Sequence, residues 1–225
     1  CETTKKIRKL LKIDNLKNNQ KPKNIIDFLK KELNLTTKES IEICVEIYEK
    51  NKDAISDSAK KGERLFFSEK LECFHCHGGF NFSDSTKHER SAFIEFNLHN
   101  NGLYNLNNNG DYPKGGQGFF DISHNKKDMG KFKAPTLRNI EVTSPYMHDG
   151  SIYTLEEVIE HYSKGGRKID SGEFLGDGSK NPYKSGFVKG FTISDEEKKD
   201  LLEFLKSLTD RDFLSNIKYS DPFKK

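Results

Sequence analysis

The sequence predicts a mainly α-helical fold with long loops and few strands, from its length, its helix signals and its composition. At about 150 residues per domain, a chain of 225 residues forms one large domain, or one domain with a helical appendage. Amphipathic patterns with capping boxes recur along the chain, separated by Gly- and Asn-rich stretches. Apolar residues make up 33% and charged residues 32%, so the polypeptide alone builds a thin core that a bound group would help to fill.

The composition also limits the partners of the chain. No apolar run reaches the 18 or so residues that a membrane-spanning helix needs, which excludes such a helix. A formal net charge of +3 is too small to indicate a nucleic-acid-binding protein. The positive excess is local, because residues 1–38 carry eleven Lys and Arg against four Asp and Glu.

Residues 1–55 are predicted to form a short helical segment that precedes the main domain. This segment is rich in Lys and Asn, and helical patterns fall at residues 6–16, 23–34 and 37–50. The apolar stripe of the third helix includes Cys44, which we expect to be an inert thiol of the core.

Residues 56–210 are predicted to form the main domain, and residues 211–225 a polar tail. A short helix begins near Ser56 and contains Gly62, where glycine costs about 1 kcal/mol of helix propensity. A close crossing with the last helix of the domain would explain this glycine. Two further helices are predicted behind capping boxes, at Thr154 with Glu157 and at Ser194 with Glu197, and a long Gly- and Asn-rich loop spans residues 98–130.

Residues 73–77 read CFHCH and contain the attachment signature of a c-type haem, C-x-x-C-H. Cys73 and Cys76 are spaced so that each thiol can form a thioether with one haem vinyl group, and His77 then lies beneath the iron as the proximal ligand. A zinc knuckle would need a second Cys/His pair at short spacing, and the other histidines are scattered. A redox dithiol would need a βαβ context that the sequence lacks. We therefore predict one covalent haem c.

The ligand on the other face of the haem stays open between several side chains. Met147 and Met129 are the only methionines, and a thioether ligand from either is typical of a simple electron carrier. In the helix that follows Thr154, the apolar stripe ends at Tyr162 and turns His161 about 100° away, so Tyr162 is the geometrically better donor. By pattern alone, a buried core tyrosine or an open iron remain the alternatives.

From residue 56 to residue 210, about two-thirds of the chain, the sequence resembles the C-terminal haem domain of the di-haem cytochrome c peroxidase and MauG family, especially its MbnH-like members. Six motifs carry this resemblance: GERLFF at 62–67, CFHCH at 73–77, HNNGLYN at 99–105, DMGKFKAPTLRN at 128–139, PYMHDG at 145–150 and TLEE at 154–157. The resemblance implies a cytochrome c-like haem domain with long loops.

The resemblance also implies roles for individual residues. His77 would be the proximal ligand of the six-coordinate haem, and Tyr162 falls where the peroxidases have a distal Met and MauG has a Tyr ligand. Further positions match residues that lie around the haem in the family. Arg138 and His148 would contact a haem propionate or support the haem, and the alternatives are a surface salt bridge for Arg138 and a core hydrogen bond for His148. The backbone carbonyls of Thr143 and Pro145 would be ligands of a calcium ion between two haems.

Three departures from the family pattern limit these expectations. The chain has one C-x-x-C-H motif, so residues 1–55 resemble only the last helices of the first haem domain, whose open iron binds peroxide. The Asn that completes the family's calcium site lies in that first domain, which leaves calcium binding open. The chain has no Trp, and Leu71 stands where MauG has its bridging Trp.

The leading functional hypothesis is therefore the haem domain of a peroxidase- or MauG-type oxidoreductase. It would carry electrons or oxidising equivalents, with hydrogen peroxide as the oxidant and a second haem domain or a redox partner protein beside it. The alternative is a stand-alone monohaem electron-transfer cytochrome without enzymatic activity. Haem c attachment places the protein in the periplasm, and a first residue Cys1 would fit either a lipid anchor or an arbitrary start of the sequence.

Overall fold

A computed structural model describes residue 36 and residues 54–86, 97–221 and 223. The chain divides into two units between residues 56 and 57, and nearly all described residues belong to the second unit. The three helices predicted in residues 1–55, and Cys44 with them, lie outside the described residues.

The described residues are helix-rich with few strands, as the sequence predicts. Their α-helices are α1 Asp57–Phe66, α2 Phe120–Ser123, α3 Leu155–Ser163, α4 Asp195–Ser207 and α5 Arg211–Ser215. Four two-residue strands form two antiparallel pairs, β1 Leu98–His99 with β2 Phe132–Lys133 and β3 Lys168–Ile169 with β4 Gly176–Asp177. Short 3₁₀ helices lie at Cys73–His75, Lys126–Asp128, Ile140–Val142, Gly178–Lys180 and Ile217–Tyr219.

The core of the second unit is built on the crossing of α1 and α4. Gly62 of α1 faces the backbone of α4 so closely that a Cβ added there would lie 2.0 Å from the carbonyl oxygen of Asp200. The rings of Phe66 and Phe204 pack beside the crossing with their centroids 5.2 Å apart. The close crossing predicted from Gly62 is thereby confirmed, with the terminal helix as its partner.

Helix α3 begins behind Thr154, as the sequence predicts. The Thr154 hydroxyl accepts a hydrogen bond from the Glu157 main-chain N–H at 3.2 Å, and the Glu157 carboxylate accepts one from the Thr154 N–H at 3.0 Å. Beyond the helix, Gly165 takes a left-handed conformation with φ at +69°. The prediction that His161 turns away from the interior is wrong, because the chain around Asn101 covers that side of the helix and His161 is buried beneath it.

Replacing Thr154 by Ala is expected to lower the free energy of unfolding by about 1 kcal/mol, because the first turn of α3 loses its side-chain acceptor. Chemical denaturation measured by circular dichroism would show this loss. The matched control is Thr192→Ala, at an exposed threonine that lies outside any helix. Equal stabilities of the two variants would contradict a role of the cap.

The Gly- and Asn-rich stretch at residues 98–130 is organised by buried amide side chains. The Asn100 amide accepts from the Tyr112 hydroxyl at 2.8 Å and donates to the Met129 carbonyl at 2.8 Å. The Asn105 amide accepts from the Gly110 N–H and donates to the Asp177 carbonyl, each at 2.7 Å. Both asparagines are only 1% exposed, so their amides replace regular secondary structure as hydrogen-bonding partners of the backbone.

The segment after α4, predicted as a polar tail, begins with the short helix α5 and a 3₁₀ turn. Across the described ranges, no helix combines the length and the apolar character that crossing a membrane requires.

Candidate haem-binding site

The two cysteines of the C-x-x-C-H motif are placed by a single tight turn of chain. The 3₁₀ helix Cys73–His75 brings the main-chain N–H of His77 to the carbonyl of Cys73 at 3.0 Å. Cys73 and Cys76 are both free thiols and partly buried. Burial raises the pKa of each thiol to about 12, so both carry their protons in an apolar environment.

The imidazole of His77 is held in one tautomer. Its Nδ1–H donates to the backbone carbonyl of Phe82 at 3.1 Å, and a carbonyl can only accept. Burial lowers the pKa of His77 against the opposing effect of the Phe82 and Pro135 carbonyls, which favours the neutral ring. A neutral ring with its proton on Nδ1 keeps the lone pair of Nε2 available for a metal.

Tyr162 lies within electrostatic range of the cysteine pair. Burial raises the pKa of its phenol to about 12, interaction with the Asn101 side chain opposes this rise, and the neighbouring Cys76 and Cys73 add to it. Tyr162 belongs to α3, which thus brings its side chain near both thiols.

Asn101 lies next to Met147 and Tyr162, the two candidate ligands for the haem face opposite His77. Its side-chain amide donates to the sulfur of Met147 at 3.2 Å, and it also hydrogen bonds to the phenol of Tyr162. Met147 has a left-handed backbone with φ at +71°. The other methionine, Met129, is 1% exposed within the core, where its sulfur accepts from the Gln117 amide at 3.7 Å.

These residues fit a covalently attached haem. Cys73 and Cys76 offer protonated thiols, His77 offers a free Nε2 lone pair, and Tyr162 or Met147 offers a second donor. A zinc site at the same cysteines is not supported. The metal-ligating atoms that approach within 4.8 Å of one another among the described residues belong to Glu69, Glu72 and His75 and include neither thiol nor His77.

Arg138 lies against the loop that follows the cysteine motif. Its guanidinium donates to the carbonyl of Phe80, and its central carbon is 5.6 Å from the centroid of the Phe82 ring. His148 lies elsewhere in the domain, stacked on Phe132 of β2 with ring centroids 3.9 Å apart. Arg138 is therefore associated with the His77 loop and His148 with strand β2, and propionate contacts for either side chain stay a prediction.

Thr143 and Pro145 lie on the exposed segment between the 3₁₀ helix Ile140–Val142 and α3. The Thr143 hydroxyl donates to the Ile140 carbonyl at 3.1 Å, and the neighbouring Ser144 hydroxyl donates to the Tyr153 carbonyl at 2.7 Å. Calcium ligation by the two backbone carbonyls stays a prediction.

Asn101 is not among the predicted site residues, although it lies inside the HNNGLYN motif at residues 99–105. The pair formed by Asp84 and His99, in which Oδ2 and Nε2 are 2.5 Å apart, is also not among them. The signal that could have identified Asn101 and His99 is their position as polar residues in the HNNGLYN motif.

The chain is similar in sequence to cytochrome c peroxidases and to MauG. No family model matches the chain. It is 30% identical over 171 residues to the cytochrome c peroxidase IdrP1 of Pseudomonas sp. (strain SCT), covering 71% of this chain and 42% of that protein. It is 32% identical over 158 residues to the methylamine utilization protein MauG of Methylorubrum extorquens, covering 70% of this chain and 36% of that protein.

A solved structure shares the fold. The chain superimposes on the crystal structure of a MauG-like protein associated with microbial copper homeostasis with a TM-score of 0.72 and 48% sequence identity. The match covers 76% of this chain and 52% of the other. The chain therefore spans about half of that structure, and 42% or less of the two curated relatives named above.

Proposed function

Because the chain is a homologue of the cytochrome c peroxidases and MauG-like proteins of the di-haem peroxidase family, we propose that its main domain is a c-type cytochrome domain. It carries one haem c and passes electrons or oxidising equivalents in a peroxide-dependent oxidation. What supports this proposal is the C-x-x-C-H motif, folded on one 3₁₀ turn with the Nδ1–H of His77 bonded to the Phe82 carbonyl.

Each residue of the site has a separate task. Cys73 and Cys76 hold the haem through thioethers, and the haem supplies one-electron redox chemistry at its iron. His77 provides Nε2 as one axial donor, and the Phe82 carbonyl keeps the ring proton on Nδ1. Arg138, which lies against the loop that follows the cysteine motif, would neutralise a propionate.

Tyr162 would supply the second donor to the iron in this proposal. To bind as a phenolate it must lose its proton, and the hydrogen bond from Asn101 favours that charged form. A hard anionic oxygen stabilises the ferric over the ferrous state, which suits the storage of an oxidising equivalent. Met147, next to the same Asn101, stays outside the coordination in this arrangement.

The proposed system has further components. Hydrogen peroxide is its oxidant, and a second haem domain or a redox partner protein supplies the iron at which peroxide binds. Calcium, held by the backbone carbonyls of Thr143 and Pro145, would lie toward that second haem. His148, stacked on Phe132 of β2, would have a supporting role toward the haem. A periplasmic location is part of this proposal, because covalent haem attachment needs an oxidising compartment.

Replacing Tyr162 by Phe is expected to change the visible and EPR spectra of the ferric protein and to raise its midpoint potential, since an anionic ligand is lost. The matched control is Tyr153→Phe, at a tyrosine that is 68% exposed. Spectra that are the same for Tyr162→Phe and the native protein would contradict tyrosine ligation.

A stand-alone electron carrier is the second candidate, and one contact favours it. The Asn101 amide at 3.2 Å from the Met147 sulfur orients a thioether that could serve as the axial ligand instead. A carrier of this kind would keep its ferric spectrum in Tyr162→Phe, reduce readily with ascorbate and leave hydrogen peroxide unconsumed. The spectra of that one variant therefore separate the two functions.

A further inference from the structure

A carboxylate–imidazole pair lies beside the haem-attachment loop. Oδ2 of Asp84 and Nε2 of His99 are 2.5 Å apart, and the two side chains are 11% and 19% exposed. An ionised carboxylate only accepts hydrogen bonds, so His99 donates through Nε2–H. His99 belongs to β1, which pairs with β2, and Asp84 is thereby attached to the small sheet.

Asp84 is also attached to the haem motif through its backbone. Its main-chain N–H donates to the carbonyl of Cys76 at 2.9 Å. Residues 76–84 therefore form a closed loop that begins at the second cysteine and is secured at Asp84. The adjacent Ser83 adds a second attachment, since its hydroxyl donates to the Ala134 carbonyl at 2.7 Å.

The carbonyl that binds His77 lies on this closed loop. Phe82 is 1% exposed and has a left-handed backbone with φ at +49°. Such a conformation of a bulky residue is costly and persists only where the surrounding structure enforces it. The direction of the Phe82 carbonyl therefore depends on the attachments of its neighbours Ser83 and Asp84.

We infer that Asp84 and His99 are positioning residues for the proximal haem ligand. Their contact holds the loop so that the Phe82 carbonyl keeps the His77 proton on Nδ1 and leaves Nε2 free for iron. This inference rests on the proposed function in naming the iron, but the placement of the proton is a property of the polypeptide itself.

The pair also affects the haem chemically. A hydrogen bond from Nδ1–H makes the imidazole a more basic ligand, which stabilises the ferric state. A loosened loop weakens that bond, and the midpoint potential then shifts to a more positive value. Asp84→Asn keeps an oxygen that can accept from His99 while removing the charge, so it separates the positioning effect from the effect of the charge.

The test uses the native holoprotein and its variants Asp84→Ala, His99→Gln and Asp84→Asn. Isotope-edited NMR of the reduced protein follows solvent exchange of the His77 Nδ1–H. The Nε2–H of His161, which is bonded to the Asn101 carbonyl at 2.9 Å, is the internal reference. Redox titration supplies the midpoint potential, and Asp121→Asn, at an exposed carboxylate on α2, controls for charge.

We expect faster exchange at His77, an unchanged rate at His161 and a more positive potential in Asp84→Ala and His99→Gln. Asp84→Asn is expected to stay close to the native protein in exchange. The inference would be overturned if the His77 Nδ1–H exchanged at the native rate in both Asp84→Ala and His99→Gln. A shift of the midpoint potential in Asp84→Asn as large as that in Asp84→Ala would overturn it too. His99→Gln still decides the matter if Asp84→Ala fails to fold. A chain that matures without covalent haem would refute the proposed function, while the exchange comparison would still test the pair.

Discussion

Replacing both Cys73 and Cys76 by Ala is expected to abolish covalent haem attachment completely. After maturation in a periplasm that attaches haem c, the native chain should retain its haem through extraction with acidified organic solvent, and the double variant should release all of it. The reason is that each thiol forms one of the two thioethers, and no other cysteine lies among the described residues.

The single variants provide the control for this prediction. Cys73→Ala and Cys76→Ala each keep one thioether, so the haem should stay attached and the pyridine haemochrome spectrum should shift because one vinyl group remains unsaturated. A double variant that keeps haem through the extraction would contradict the site. We also expect the haem-free double variant to be less stable, because the chain is only 33% apolar and the porphyrin adds apolar surface to the core.

Replacing Gly62 by Ala is expected to destabilise the domain strongly. The new Cβ would lie 2.0 Å from the Asp200 carbonyl oxygen and 2.9 Å from the Leu201 Cα, so α1 and α4 must separate. Overpacking of this kind costs about 3 kcal/mol, against a gain of about 1 kcal/mol in helix propensity, and the free energy of unfolding should fall by about 2 kcal/mol. Chemical denaturation measures this change.

The control for the helix crossing is Gly186→Ala. A Cβ at Gly186 meets no atom within 4 Å, and the residue is exposed. Both variants add one methyl group to a glycine, so their difference isolates the contact between the helices. A Gly62→Ala domain as stable as the Gly186→Ala domain would show that the crossing tolerates separation.

Helix positions in the main domain were predictable because their signals are local. Thr154 and Ser194 each cap a helix through a partner three residues away, and the structure has both capping boxes. Gly62 predicted a close crossing of two helices, because glycine lowers helix propensity and is expected there only where the helices need the space. Each of these inferences depends on residues within one or two turns of each other.

The His161 prediction failed for a tertiary reason. The apolar stripe of α3 correctly places Leu155 and Ile159 inside the protein, and it turns His161 toward solvent. In the folded domain, the chain around Asn101 covers that second face, and the carbonyl of Asn101 bonds the imidazole. Helical periodicity describes one buried face and has no information about a loop that packs from 60 residues away.

The sequence by itself predicts the chemistry of the site, because C-x-x-C-H spacing within five residues already places two thiols and an imidazole on one turn. Tertiary structure alone brought Asn101 to both Tyr162 and Met147, and Asp84 to His99. These partners are separated by 15 to about 60 residues along the chain. Their meeting depends on how the loops close around the core, since hydrogen bonds between distant residues form only after the helices and strands have packed.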